Sequence, residues 1–423
     1  MSKRIIVIGA GAAGLMASGV AAEKGADVTL IERNDKPARK VMITGKGRCN
    51  VTNNCTMIND LIANVPNGGR FLYSAFSRFM PIDTMEFFED MGVRLKVERG
   101  NRVFPESDKA VEIVDALNAF SQDAGAKRVK GRAVELIISD GAVKGVITED
   151  GEKYEADSVI VATGGVSYPL TGSTGDGYEL AKQAGHTVSE LKPSLVPVVC
   201  HEGFCSDLQG LSLKNSAITV IDTHTYKEVY KDFGEMLFTH YGVSGPMILS
   251  ASAHLKDVTP RRYEIHIDLK PAVSYEQLDK RIQKDFLENT NKNFINALDS
   301  LLPKKLVPVI VRLCGIKPAT KVNQITREQR AQLVNLLKDL KLTVLRFRPI
   351  EEAIVTSGGV SVKEIDPKTM ESKLCKGLYF AGEVIDVDAY TGGFNLQIAF
   401  STGRLAGESV VSSQESGEFP SGI

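Results

Sequence analysis

No apolar run in the chain is long enough to span a bilayer, because glycine, proline or charge interrupts each one. Charge of one sign is missing as well: 51 basic and 52 acidic side chains leave a formal net charge of −1. That balance argues against a general electrostatic grip on nucleic acid or on an anionic membrane. Cysteine is scarce. Cys49, Cys55, Cys200, Cys205, Cys314 and Cys375 are too few and too scattered for a secreted disulfide scaffold, so a reducing cytoplasm is the expected setting. What is present is enough apolar material, 43% of 423 residues, for extended cores in two or three domains.

The organising stretch is the N-terminus. Arg4-Ile-Ile-Val-Ile8 reads as a buried parallel strand, Gly9-Ala-Gly11-Ala12-Ala13-Gly14 as the turn into a small-residue helix, and Asp27-Val-Thr-Leu-Ile31 as a second strand ending at Glu32 and Arg33. For a dinucleotide each glycine has a task. Gly9 permits the tight turn, Gly11 lets backbone N–H groups approach the pyrophosphate, and Gly14 lets the helix pack close to the sheet. Glu32 stands where it can accept hydrogen bonds from ribose hydroxyls. Lys3 and Arg4 before an alanine-rich run imitate a signal peptide, but the glycines fall at fingerprint spacing and a strand ending in an acid follows.

After Glu32 comes a loop from Lys36 to Asn53 that concentrates cations, glycines and amides. Lys40, Thr44, Gly45, Gly47, Arg48, Cys49 and Asn50 are its candidates for contact with a pyrophosphate or an electron-rich ring. Arg48 and Lys46 beside Cys49 would lower a thiol's pKa, which opens a rival chemistry, a redox pair of Cys49 with Cys55. Five residues separate the two, whereas flavin-linked disulfide reductases have four, on a helix.

Helical spacing covers Phe71 to about Met91 and Asp108 to Ala124. The runs 130–138 and 142–148 predict a β-hairpin that includes Val134. Asp157 to Ala162 reads as a strand, apolar from Val159 on, running into Thr163, Gly164 and Gly165, and Gly175-Asp176-Gly177 opens a helix with Asp176 as its expected cap. From Lys192 to Pro349 the texture changes to β-like runs followed by a helix-rich, lysine-rich section over about 275–340. The predicted domains are 1–191 and 350–423 as two parts of one nucleotide-binding domain, with 192–349 inserted as a β-rich lid that carries a nested helical bundle. His240, in a glycine-rich turn, is a candidate proton donor. Arg346 and Arg348 precede Pro349 at the expected hinge. The chain then returns through an apolar strand to Gly382-Glu383 and a helix opened by Gly393, Phe394, Asn395, Leu396 and Gln397. From about residue 412 a disordered tail is expected.

Together the fingerprint with Glu32, the Thr44–Asn53 loop, Ala162-Thr-Gly-Gly165, Thr239-His-Tyr-Gly-Val-Ser-Gly-Pro246, Gly382-Glu383 and Thr391-Gly-Gly-Phe-Asn-Leu-Gln397 resemble the BaiN/YhiN-like bacterial NAD(P)/FAD-dependent oxidoreductases over nearly the whole chain. The resemblance implies an α/β Rossmann-like FAD-binding domain of glutathione-reductase type. It implies noncovalent FAD, the backbone near Val134 facing adenine, and Glu383 meeting the ribityl hydroxyls. No second Gly-x-Gly-x-x-Gly follows, so NAD(P)H is expected as a transient electron donor without a domain of its own. The implied activity is oxidation or reduction of a small organic substrate, with a carbon–carbon double bond next to a carbonyl as the expected target. The catalytic candidates are Arg48, Cys49, Asn50 and His240; no metal, nucleic acid or membrane partner is expected. A thiol–disulfide oxidoreductase and a flavin-containing RNA-modifying or interaction protein are the alternatives.

Overall fold

The computed structural model describes residues 2–412, and the remainder of the expected tail lies outside them. The described residues form two compact units, 2–194 with 350–412, and Leu195–Pro349.

In the first unit, five parallel strands pair in the order Leu378–Phe380, Ser158–Val161, Arg4–Ile8, Asp27–Glu32 and Lys127–Lys130. Ile5 to Ile8 and Val159 to Val161 are buried on both sheet faces, which is why these strands carry no polar alternation. The first helix, Ala12–Glu23, is buried from Ala12 to Ala22 and owes its close packing to small residues. The final helix, Phe394–Ser412, lies against it: a Cβ on Gly403 would approach the Ala13 carbonyl oxygen to 2.4 Å, and one on Gly407 the Ala17 carbonyl oxygen to 2.6 Å. This helix runs through Ser412, the last described residue.

The expected hairpin forms as Ala133–Ser139 against Ala142–Thr148. The helical stretch after Phe71 is broken into Tyr73–Arg78 and Pro81–Asp90, because Pro81 cannot continue a helix from Met80 but fits a first turn. The loop after Glu32 is more structured than expected: it holds a short helix, Arg39–Ile43, and a 3-10 turn, Thr44–Gly47, in which Gly45 and Lys46 are left-handed.

The second unit is a closed, antiparallel six-stranded barrel. Its strands run in the order Val198–Cys200, Gly242–Ser244, Lys227–Thr239, Ser212–Asp222, Tyr263–Asp268 and Leu340–Phe347, and the last pairs back onto the first. Ile218, Val220, Phe238, Ile265, Ile267, Leu342 and Val344 belong to its core. Between its last two strands the chain makes the helices Tyr275–Glu288, Phe294–Ala297, Val307–Cys314 and Arg327–Lys338. Reciprocal capping boxes, Ser274 with Gln277 and Thr326 with Gln329, start the two longer ones.

Candidate functional site

In the first unit a cleft of about 1300 Å³, its open mouth included, lies at the C-terminal ends of the parallel strands. Ligands bind at this end of open α/β sheets. Its lining brings together Gly9, Gly11, Ala12, Ala13, Glu32 and Arg33 from the fingerprint, Lys40 and Thr44 from the following segment, Ala162, Thr163 and Gly164 from the turn after the Ser158–Val161 strand, and Gly382, Glu383, Asn395 and Leu396 from the C-terminal return.

The three fingerprint glycines answer different demands. Gly9 has φ of +97° and a Cβ there would sit 2.7 Å from the Ala162 carbonyl oxygen; one on Gly14 would fall 1.8 Å from the Gly9 carbonyl oxygen. Those two glycines are required by the protein itself. A Cβ on Gly11, by contrast, meets no atom within 4 Å. Its bareness serves nothing inside the chain and leaves the start of the first helix open, where N–H groups lack intrahelical partners and carry partial positive charge.

Glu32, only 7% exposed, is held by its own neighbours: one carboxylate oxygen accepts from the Ala10 N–H and the other from the N–H and the side-chain amide of Asn34, each at 2.8 Å. With lone pairs left over on a cleft-lining carboxylate, it can also accept from a ribose. Nearby, Asp176 is not the cap that the sequence suggested. Gly175 holds the N-cap position, and the Asp176 carboxylate takes two bonds from Arg132 (2.9 and 3.0 Å) and one from Arg33 (3.2 Å). Burial works to raise its pKa, but the arginine pairing outweighs it and the carboxyl lies below its usual range.

At the other side of the cleft, Lys40 donates to both Glu383 oxygens (2.7 and 3.0 Å) and to the Ser167 hydroxyl (2.6 Å), while the Thr356 N–H donates to Glu383 at 2.8 Å. No motif marks Asn34, Arg132, Ser167 or Thr356 in the sequence, and the partners of the last three lie far along the chain.

Several expected contacts fall elsewhere. Val134 is not part of the lining; its neighbour Ala133 is, and the Val134 carbonyl accepts from Gln183 at 2.9 Å. Gly14 lies beneath the turn. Gly393 is pressed onto Thr52, where a Cβ would come within 2.2 Å of its carbonyl oxygen. Gln397 is fully buried in a hydrogen-bond network with Thr52, Thr84, Phe79 and Ser401. Gly45, Gly47, Arg48, Cys49 and Asn50 also lie off the lining. Arg48 pairs with Glu98 and Asp108 and stacks on Phe104, its carbon 4.2 Å from the ring centre. Asn50, with its amide oxygen accepting from the Gly393 N–H at 2.9 Å, donates to the Thr52 and Val103 carbonyls. His240 belongs to the barrel unit, where it is exposed and packs edge-on against Tyr241 at 4.8 Å.

Cys49 overturns the expectation of a lowered pKa. Its side chain is fully buried, the guanidinium of Arg48 is committed to two acids, and burial pushes the thiol up to about 12 despite the neighbouring Thr44 hydroxyl. Cys55 is also raised, by burial first and then by Asp60, and both are free thiols. The unfolded thiol titrates near 9.0, so this term stabilises the fold fully below pH 9 and is lost as pH rises toward 12. We expect Cys49 in the native protein to resist a thiol reagent at pH 8 and to react once urea is added. Rapid native labelling at Cys49, read by peptide mass, would contradict this burial.

The sequence profile described as "HI0933-like protein Rossmann domain" matches residues 3–409. The chain belongs to this family. It is similar to the 3-dehydro-bile acid delta(4,6)-reductase of Clostridium scindens, with 31% identity over 409 residues, 96% of this chain and 98% of that one. It is also similar to the ribosomal RNA dihydrouridine synthase of Escherichia coli, with 30% identity over 411 residues, 97% and 98% of the two chains. Among solved structures, the 3-ketosteroid-delta4-(5alpha)-dehydrogenase of Rhodococcus jostii RHA1 shares the fold, with a TM-score of 0.55, 15% identity and 97% of each chain covered.

The chain is therefore an FAD-dependent oxidoreductase with a Rossmann-type fold and an inserted barrel. The cleft suits FAD on its own evidence: the open space above Gly11, the helix N-terminus beneath it and the buried acceptor Glu32 match a pyrophosphate and a ribose. The expectation that nucleic acid plays no part is not supported, because one relative is named for ribosomal RNA. Among the described residues no helix is long and apolar enough to cross a membrane.

Proposed function

We propose that this protein uses noncovalent FAD, reduced by a transiently bound NAD(P)H, to saturate a carbon–carbon double bond conjugated to a carbonyl. The observation that carries this reading is the nucleotide-shaped cleft, in a family whose relatives point to one chemistry. A delta(4,6)-reductase of a 3-dehydro-bile acid and a dihydrouridine synthase are both named for saturated double bonds, and in each substrate the bond is conjugated with a carbonyl. When bound, the flavin accepts a hydride and delivers it to carbon.

The chain's own residues supply the rest. Backbone N–H groups at Gly11 to Ala13 would hold the pyrophosphate, Glu32 the adenosine ribose, and Glu383, oriented by Lys40, the ribityl chain. The Phe394–Ser412 helix, whose first turn contributes Asn395 and Leu396 to the cleft, would turn its positive end toward a bound flavin and so favour its reduced, anionic form. A disulfide mechanism finds no support in a buried, neutral Cys49.

The test is an anaerobic titration of the purified protein with NADH and NADPH. A yellow protein bleached by one of them, then reoxidised by a 3-keto-Δ4 steroid or by uridine-containing RNA, is the expected result. A flavin that neither nucleotide reduces would remove NAD(P)H from the proposal, and a protein without flavin would remove its centre.

A further inference from the structure

The balanced total charge hides a strong polarity. The barrel unit, residues 195–349, carries 22 lysines and arginines against 16 acids, while the rest of the chain is net acidic. Within it the bias is concentrated: residues 304–348 hold eleven basic side chains and only two acids, Glu328 and Asp339. Two of these cations, Lys317 and Lys321, lie on a loop that pairs with the segment carrying Lys292. The loop 315–322 is stitched to 291–295 by backbone bonds from Val322 N–H to the Lys292 carbonyl (3.1 Å) and from Phe294 N–H to the Thr320 carbonyl (2.8 Å). This places Lys292, Lys317 and Lys321 on one exposed edge, at the end of the Val307–Cys314 helix. Lys321 donates to the Asn291 carbonyl at 2.8 Å; among the described residues, Lys292, Lys304 and Lys317 have neither an ion pair nor a side-chain hydrogen bond.

Uncompensated cations spread along helix ends and a loop suit a chain of phosphates better than a single small anion. Exposed amides stand among them, Asn291, Asn296, Asn323 and Gln324, offering donors and acceptors to 2′-hydroxyls and unstacked bases. We infer that this edge of the barrel unit is an RNA-binding surface, held chiefly by Lys292, Lys317 and Lys321. The surface stands on its own charges; only the further step, that a base of the bound RNA carries the reducible double bond, rests on the reading above.

Fluorescence anisotropy of the full chain with a labelled uridine-rich RNA hairpin tests it, against the DNA hairpin of the same sequence and phosphatidylglycerol vesicles. The wild type should bind the RNA with steep salt dependence. The double variant Lys292→Glu/Lys317→Glu should bind about tenfold more weakly, with the slope of log affinity on log salt reduced by about 2. Should charge reversal disturb folding, Lys292→Gln/Lys317→Gln provides the same readout. Unchanged affinity in the variant, no RNA binding by the wild type, or equal binding to DNA or vesicles overturns the inference. The visible spectrum and its bleaching by NAD(P)H should be identical in wild type and variant, so a colourless preparation would count against the flavin reading and not against this surface.

Discussion

Gly11→Val should yield a folded, colourless protein. Gly11 has φ of −81° and ψ of −169°, a conformation that suits a β-branched residue, and its Cβ direction points into open space. The added side chain would therefore start in open space while occupying the approach of the pyrophosphate. We expect an unchanged urea midpoint for the cofactor-free protein and a loss of FAD affinity of at least about a hundredfold, or about 2.7 kcal/mol. Gly14→Val is the control with the opposite outcome. Its Cβ would lie 1.8 Å from a backbone oxygen that cannot move without shifting the first strand, so this variant should lose stability by about 3 kcal/mol or more, with or without FAD. A yellow Gly11→Val protein with wild-type flavin content would show that the turn does not hold the pyrophosphate.

Gln397→Leu should destabilise the nucleotide domain by about 2–4 kcal/mol without removing any side chain from the cleft lining. The carboxamide oxygen accepts from Thr52 (2.6 Å) and Thr84 (2.9 Å), and its nitrogen donates to the Phe79 carbonyl and the Ser401 hydroxyl, both at 2.9 Å. These groups come from three stretches of chain, with Ser401 one turn further along the same helix. A leucine fills the volume but strips the buried Thr52 hydroxyl of its acceptor and leaves the Thr84 hydroxyl only the Met80 carbonyl at 3.3 Å, while Ser401 keeps its bond to the Phe79 carbonyl (2.8 Å). The measurement is the urea midpoint of the variant, with its flavin spectrum recorded alongside. A normal midpoint accompanied by a shifted spectrum would reverse the assignment and make Gln397 a cofactor contact after all.

How far the sequence could be read depended on the distance between partners. Ile5 to Glu32 form strand, turn, helix and strand within one contiguous stretch, so spacing alone revealed what the glycines and the acid do locally. The links that shape the cleft join distant positions, Arg132 with Asp176 and Lys40 with Glu383, and each of those residues alone resembles an ordinary surface charge. Cys49 illustrates a second limit. Its sequence neighbours are cations, yet burial governs its thiol and the cations face elsewhere. The longest barrel strand, Lys227–Thr239, escaped notice because its exposed stretch carries Lys231, Asp232 and Glu235 where a buried strand would be apolar. Net charge misled in a similar way: a sum near zero says nothing about where the two signs are placed.

The glycine seam between the first and last helices bears on how the molecule is made. Domains tend to form from the N-terminus during synthesis, yet here the partner that covers Ala13 and Ala17 leaves the ribosome only after the whole barrel has done so. Until then the fingerprint helix must wait with that face uncovered, while the barrel, contiguous in sequence, already has all its strands. A pulse-chase experiment with limited proteolysis on stalled nascent chains should find the barrel protected well before the nucleotide domain, whose protection should come only once residues 394–412 have emerged.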